Sequence, residues 1–105
     1  MSLLLSLAVA SVPQALLDRA DSANQAFVEC LFAVSRTASA QQLSAQGFDA
    51  RIEGACQAEE RALVEAGAKV LTARGEQSAQ ATAARAASDA RQMVRQQYHR
   101  FGSKP

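Results

Sequence analysis

Cys30 and Cys56 are the residues of this chain whose type and spacing bear most directly on chemistry. Each cysteine lies among apolar and small residues that recur at steps of three and four, which is typical of the buried face of an α-helix. A polar segment centred on Leu43 separates the two patterns, and each cysteine lies thirteen residues from that centre. In an antiparallel helical hairpin, positions equidistant from the turn stand at the same height. The spacing therefore predicts that the two cysteines meet the short Cα–Cα distance of a disulfide.

Two other interpretations of the cysteine pair stay open. Reduced, buried thiols would pack as small hydrophobic side chains. A metal site is disfavoured, because Cys30, Cys56 and the single histidine, His99, fall short of the usual four-ligand set. A disulfide that closes this loop would stabilise the fold by about 3–4 kcal/mol in the chain-entropy model.

The remaining reactive residue types give no pattern that indicates an enzyme. The chain has no glycine-rich phosphate loop, no Gly-x-Ser-x-Gly elbow and no Cys-x-x-Cys. Glu59 and Glu60 are interpreted as a solvated pair, with Glu59 at the rim of the helix seam, and His99 as a surface residue. We therefore predict a non-enzymatic protein without a cofactor or a metal.

A basic segment with aromatic residues lies near the C-terminus and is the candidate partner-binding surface. Its candidate residues are Arg91, Arg95, Tyr98 and Arg100. The net charge is +1, and the positive excess is confined to residues 76–105, with five basic and two acidic side chains. The alternative is an ordinary solvated face, because arginines near a helix C-terminus complement its dipole. No nucleic-acid reading motif is present, so a nucleic-acid partner is not favoured.

Residues 1–10 form an apolar run that is interpreted as a signal or hydrophobic N-terminus, followed by a single helical domain over residues 11–105. Ala8-Val9-Ala10 supplies a small-x-small cleavage site, although no Lys or Arg precedes the run. The alternative is a hydrophobic first turn of the first helix. The run is too short for a membrane span, which needs about 20 apolar residues. We expect a periplasmic or secreted protein, with a cytoplasmic location as the alternative.

Composition and periodicity predict an all-α fold with a thin core. Apolar residues make up 49% of the 105 residues, but many are alanine, which forms helices well and fills a core poorly. We expect an antiparallel hairpin of two long helices, the second over residues 47–74, and an alanine-rich third helix over residues 78–98. These would form a coiled-coil-like three-helix bundle or an open hairpin with a detached third helix. The third helix is expected to be the least firmly held, because its stripe of Ala79, Ala83, Ala86, Ala90, Val94 and Tyr98, with Met93 alongside, buries little area.

Two segments carry a resemblance to a known group of proteins. Cys30-Leu31-Phe32-Ala33 and Cys56-Gln57-Ala58-Glu59-Glu60-Arg61-Ala62-Leu63, within residues 27–75, resemble small, uncharacterised and apparently exported helical proteins of alphaproteobacteria. The resemblance implies a helical protein with a cysteine pair and carries no catalytic residues.

Three classes of function are compatible with the sequence. The first is a non-enzymatic periplasmic helical protein that is structural or binds an unidentified protein partner or a second copy of itself. The second is a chaperone-like envelope binder that uses an apolar groove of the hairpin. The third is a cytosolic module that binds nucleic acid or protein through its basic C-terminal helix. The size of the exposed apolar patch distinguishes the first class from the second.

Overall fold

The computed structural model describes residues 11–102 of the chain. These residues form four α-helices: α1 (Gln14–Ala40), α2 (Ala45–Gly54), α3 (Gln57–Ala73) and α4 (Ala79–Gln97). A π-helical turn, Tyr98–Gly102, extends α4. No strand occurs in this part of the chain, so the predicted all-α class is confirmed. The expectation for residues 1–10 lies outside the described residues.

The second predicted helix is interrupted, so the expectation of three helices is wrong. α2 ends at Gly54 and α3 begins at Gln57, with Ala55 in an extended conformation. Cys56 has a positive φ of 63°, in the left-handed region that a helix cannot include. The apolar stripe passes through Phe48, Ile52 and Cys56 at helical spacing, so periodicity alone does not reveal the break.

Local hydrogen bonds end α1 and α3 in the same way. The amide of Gly75, which has a φ of 88°, donates to Thr72 O at 2.9 Å, and the Glu76 amide donates to Leu71 O at 3.0 Å. This pattern is a Schellman motif, with glycine at its left-handed position, where a residue without a Cβ atom is favoured. After α1 the same motif has Gln42 at that position, with a φ of 59°, and glycine is not needed there.

α4 runs antiparallel to α3 and α2. A Cβ atom placed on Gly67 of α3 would lie 3.5 Å from the Cβ atom of Ala83, near the start of α4. At the other end of α4, the ring of Tyr98 stacks on Phe48 of α2. The Cβ atom of Ala83 therefore lies next to Gly67, whereas Gly54 faces open space.

The core lies where the ends of α1, α2 and α4 meet. It consists of residues from these three helices and the π-helical turn: Phe27, Leu31, Ala38, Phe48, Ile52, Ala87, Val94 and Tyr98. The predicted stripes of the first two helices are at least partly buried throughout. On α4, by contrast, Ala87 and Arg91 are buried. The predicted Ala86 is exposed, and Met93 is 54% exposed.

The expectation that the last helix is the loosest element does not match its contacts. The first half of α4 buries only alanines, but its second half buries Arg91, Val94 and the neighbouring Tyr98. These larger side chains give the C-terminal half the contacts that the alanine stripe lacks.

Candidate functional site

The two cysteines meet beside the break between α2 and α3. Their sulfur atoms lie 2.05 Å apart, at disulfide distance, and their Cα atoms are 6.0 Å apart. The predicted juxtaposition of Cys30 and Cys56 is therefore confirmed, although their equal height is reached on a broken helix. The left-handed backbone of Cys56 lies at this junction. The cysteine pair therefore joins α1 to the break in the second arm of the fold, which consists of α2 and α3.

Arg91 of α4 also contacts this break. Its Nη1 atom donates to Ile52 O at 2.5 Å and to Ala55 O at 2.7 Å. These acceptors include a carbonyl group at the C-terminal end of α2, where helix carbonyls lack partners within the helix and the dipole favours a cation. The Nη2 atom pairs with Glu60 Oε1 at 2.5 Å, and the guanidinium lies 5.4 Å from the centre of the Phe27 ring. One side chain thus ties α4 to α1, α2 and α3.

Tyr98 anchors the end of α4 to the α1–α2 turn. Its hydroxyl donates to Leu43 O at 2.6 Å. Its ring stacks on Phe48 with centroids 4.0 Å apart and an interplanar angle of 14°. Both the ring and the hydroxyl of Tyr98 are therefore occupied inside the protein.

A second, more exposed ionic group lies on the side of α2 that faces the end of α4. The Asp49 carboxylate lies 2.6 Å from His99 Nε2 and 3.5 Å from Arg95 Nε. The Arg95 Nε atom is buried and makes no hydrogen bond, so its contact with Asp49 is an ion pair only. The contact of Asp49 with His99 is ionic when the imidazole is protonated.

The four residues of the predicted basic surface do not form one exposed face. Arg91 is 9% exposed and Tyr98 is 1% exposed, and both use their polar atoms internally. Arg95 is half-buried against Asp49, and Arg100 is exposed over the ring of Phe101. A partner that approaches this surface can reach Arg100 and part of Arg95, but it cannot reach the buried Arg91 and Tyr98.

The structural role of the Arg91–Glu60 pair was missed by the sequence analysis, which placed Glu60 in solvent. A signal existed, because Arg91 lies four residues after Ala87 and three before Val94, on the apolar stripe of α4. A charged residue on such a stripe requires a buried partner. The neighbouring Glu59 has a different surrounding: its carboxylate lies within 4.8 Å of the two sulfur atoms.

An open groove runs along α3 on the face that α1 and α4 leave uncovered. Its volume is about 1100 Å³. The apolar part of its lining consists of Leu16, Val64, Ala68 and Ala73. Its charged lining residues are two acids, Glu60 and Glu65, and two bases, Arg61 and Lys69. Glu65 and Lys69 pair with each other at 3.5 Å, so the groove carries little net charge.

The fold and the site define a class: an all-α protein whose broken second arm is fixed by a cysteine pair and by a buried arginine. Comparison with protein-family models, with curated proteins and with solved structures gives no match. The resemblance seen in the cysteine segments stays an expectation. None of the helices within residues 11–102 is both long and apolar enough to cross a membrane.

Proposed function

We propose that this chain is a non-enzymatic helical protein of the periplasm, or of another oxidising compartment, with a structural or partner-binding role. The observation that carries the proposal is the disulfide distance between Cys30 and Cys56. Disulfides form and persist in oxidising compartments and are rare in the cytosol. A protein with so much alanine gains a large fraction of its stability from such a link, because its core is thin.

The compartment and the state of the cysteines are tested together by intact-mass measurement of the protein from the envelope fraction of its native host. The expected mass is lower than that of the dithiol form by two hydrogen atoms. A measured mass that matches a chain beginning at Ser11 would also support cleavage after Ala10. Recovery of the chain from the cytosol with two free thiols would contradict the proposal.

The groove along α3 supports a second candidate function, that of a chaperone-like envelope binder. Its volume of about 1100 Å³ is at the upper end of small-molecule pockets, which favours a peptide segment as the occupant. Its two acidic and two basic lining residues balance each other, so a neutral occupant complements it better than an acidic one. The proposed ligand is a short apolar segment of another exported polypeptide.

This second function is tested by the binding of a fluorescent peptide of leucine, alanine and serine, measured by anisotropy. Ala68→Glu places a charge among the apolar lining residues and is expected to abolish binding. Ala62→Glu makes the same change at an exposed position of α3 outside the groove and should leave binding unchanged. Equal binding by the two variants, or no binding by the unaltered protein, would exclude this use of the groove.

A further inference from the structure

Cys30, Cys56 and Glu59 form a cluster of potential metal ligands beside the helix break. The two Sγ atoms and a carboxylate oxygen all lie within 4.8 Å of one another, and all three residues are partly buried. Within residues 11–102 no other group of three or more Cys, His, Asp or Glu residues has this arrangement. Two sulfur ligands with one carboxylate are a donor set that suits zinc and other thiophilic divalent cations.

The backbone fixes these ligands on two different elements. Cys56 directly precedes α3, and Glu59 lies in the first turn of that helix, so the two come from one short Cys-x-x-Glu segment. Cys30 comes from the middle of α1. Cys30 and Glu59 are carried by helices, which hold ligands more precisely than loops do, and Cys56 is the residue that directly precedes the first turn of α3.

The Glu59 carboxylate is available for a ligand in this arrangement. In the part of the chain that the structure describes, it has neither a hydrogen-bond nor an ion-pair partner, whereas the adjacent Glu60 is paired with Arg91 at 2.5 Å. A partly buried carboxylate beside two sulfur atoms gains more from a cation than a fully solvated one, because surrounding water screens it less.

We propose that reduction of the Cys30–Cys56 bond converts this cluster into a site for a thiophilic divalent cation such as Zn²⁺. A dithiol reductant supplies two electrons and two protons and is itself oxidised to a disulfide. The Cys30–Cys56 bond breaks and two thiols form. When the cation binds, both thiols lose their protons to solvent, and the metal is held by two thiolates and the Glu59 carboxylate. Solvent takes the fourth position of the tetrahedron.

The distance between the Cα atoms of Cys30 and Cys56 permits a tetrahedral metal site. Zn–S bonds of about 2.3 Å in a tetrahedral site place the two sulfur atoms about 3.8 Å apart. The Cα atoms of the two cysteines are 6.0 Å apart, so rotation of the cysteine side chains can provide the required separation. The oxidised bond and the cation exclude each other, and the site is therefore open only in the reduced protein. This inference does not rest on the proposed partner binding.

The test is a cobalt titration of the full-length chain after reduction with dithiothreitol and anaerobic removal of the reductant. One equivalent of Co²⁺ is expected to give the near-ultraviolet thiolate-to-cobalt absorption and the visible bands of a four-coordinate site, and Zn²⁺ should displace it. The oxidised protein should give neither signal. Absence of the thiolate band from the reduced protein would overturn the proposal.

Two variants test the role of the carboxylate. Glu59→Gln is expected to weaken cobalt binding by at least about tenfold, since loss of even an outer-shell partner costs roughly 10–100-fold. Glu53→Gln removes an exposed acid of α2 and should bind like the unaltered protein. Equal affinity of the two variants would overturn the three-ligand site. If the reduced protein loses helicity, Zn²⁺ should restore its far-ultraviolet circular dichroism, and failure to do so would also overturn the proposal.

Discussion

The Nη1 atom of Arg91 lies 2.7 Å from the carbonyl oxygen of Ala55, the residue at which the second arm of the fold leaves helical geometry. The same atom also donates to Ile52 O. At this break the backbone carbonyl groups cannot be satisfied within a continuous helix. The arginine donates to Ala55 O, adds a second donor to Ile52 O, which also accepts from the Ala55 amide, and places its charge at the C-terminal end of α2, where the helix dipole favours a cation. Cys56, which lies at disulfide distance from Cys30, is the next residue of the same break.

Arg91→Met should lower the free energy of unfolding by about 2–3 kcal/mol, because it leaves Ala55 O and the Glu60 carboxylate without their donor and Ile52 O with only the Ala55 amide. Methionine keeps the unbranched chain that packs near Phe27. The measurement is urea unfolding followed by circular dichroism. Arg85→Met, at an exposed position on the same helix, is the matched control and should change the midpoint little. Equal unfolding midpoints for the two variants would show that the contacts of Arg91 with Ile52 O, Ala55 O and Glu60 add no stability.

Replacement of both cysteines by alanine should lower the free energy of unfolding by about 3–4 kcal/mol, because the disulfide no longer closes the loop between two cysteines that lie 26 positions apart. The stability of the double variant should not respond to dithiothreitol, whereas that of the unaltered protein should fall in its presence. An unaltered protein whose unfolding midpoint is the same with and without reductant would contradict a stabilising disulfide.

Gly67→Leu should destabilise the protein by about 1–3 kcal/mol, because its side chain has to enter the contact between α3 and Ala83. Gly54→Leu introduces the same residue where nothing lies within 4 Å of a Cβ atom. This control should be neutral or slightly stabilising, since leucine has the higher helix propensity. Thermal unfolding of the two variants measures the difference, and a loss at both positions would mean that helix spacing at Gly67 is not the cause.

Tyr98→Phe should cost about 1 kcal/mol, because it removes the hydrogen bond to Leu43 O and keeps the ring stacked on Phe48. Tyr98→Leu should cost more, since it removes the stacked ring as well. Phe101→Leu alters an aromatic residue that is 79% exposed and should change stability by less than about 0.5 kcal/mol. A neutral Tyr98→Leu variant would show that the end of α4 is not anchored at this point.

Hydrogen exchange should differ between the two halves of α4. The amides of residues 91–98 are expected to exchange about as slowly as those near Phe27 and Leu31, because all of these segments contribute large buried side chains. The amides of residues 79–87, where only alanines are buried, should exchange faster. Uniformly fast exchange along α4 would instead support the expectation from sequence that the whole helix is loosely held.

The helical class and the buried faces of the first two predicted helices were predictable from the sequence. Residue spacing decides which side chains share a helix face, and the stripe from Leu16 to Ala38 is at least partly buried throughout. The position of Gly75 after α3 was also predictable, because a left-handed residue at that point favours glycine. The equal distances of Cys30 and Cys56 from Leu43 predicted that the two cysteines meet, and the structure confirms this juxtaposition.

The break at Ala55 and Cys56, the buried role of Arg91 and the position of Glu59 beside the cysteines were decided by the tertiary structure. The apolar stripe continues through the break, so the local pattern is that of one helix. Interruption of that helix frees the carbonyl group of Ala55, and its donor is Arg91, which lies 36 residues further along the chain. In the first two predicted helices the sequence determined which residues face inward, because that depends on neighbours three and four positions away. The donor for a freed carbonyl depends on how distant segments pack, which local spacing does not encode.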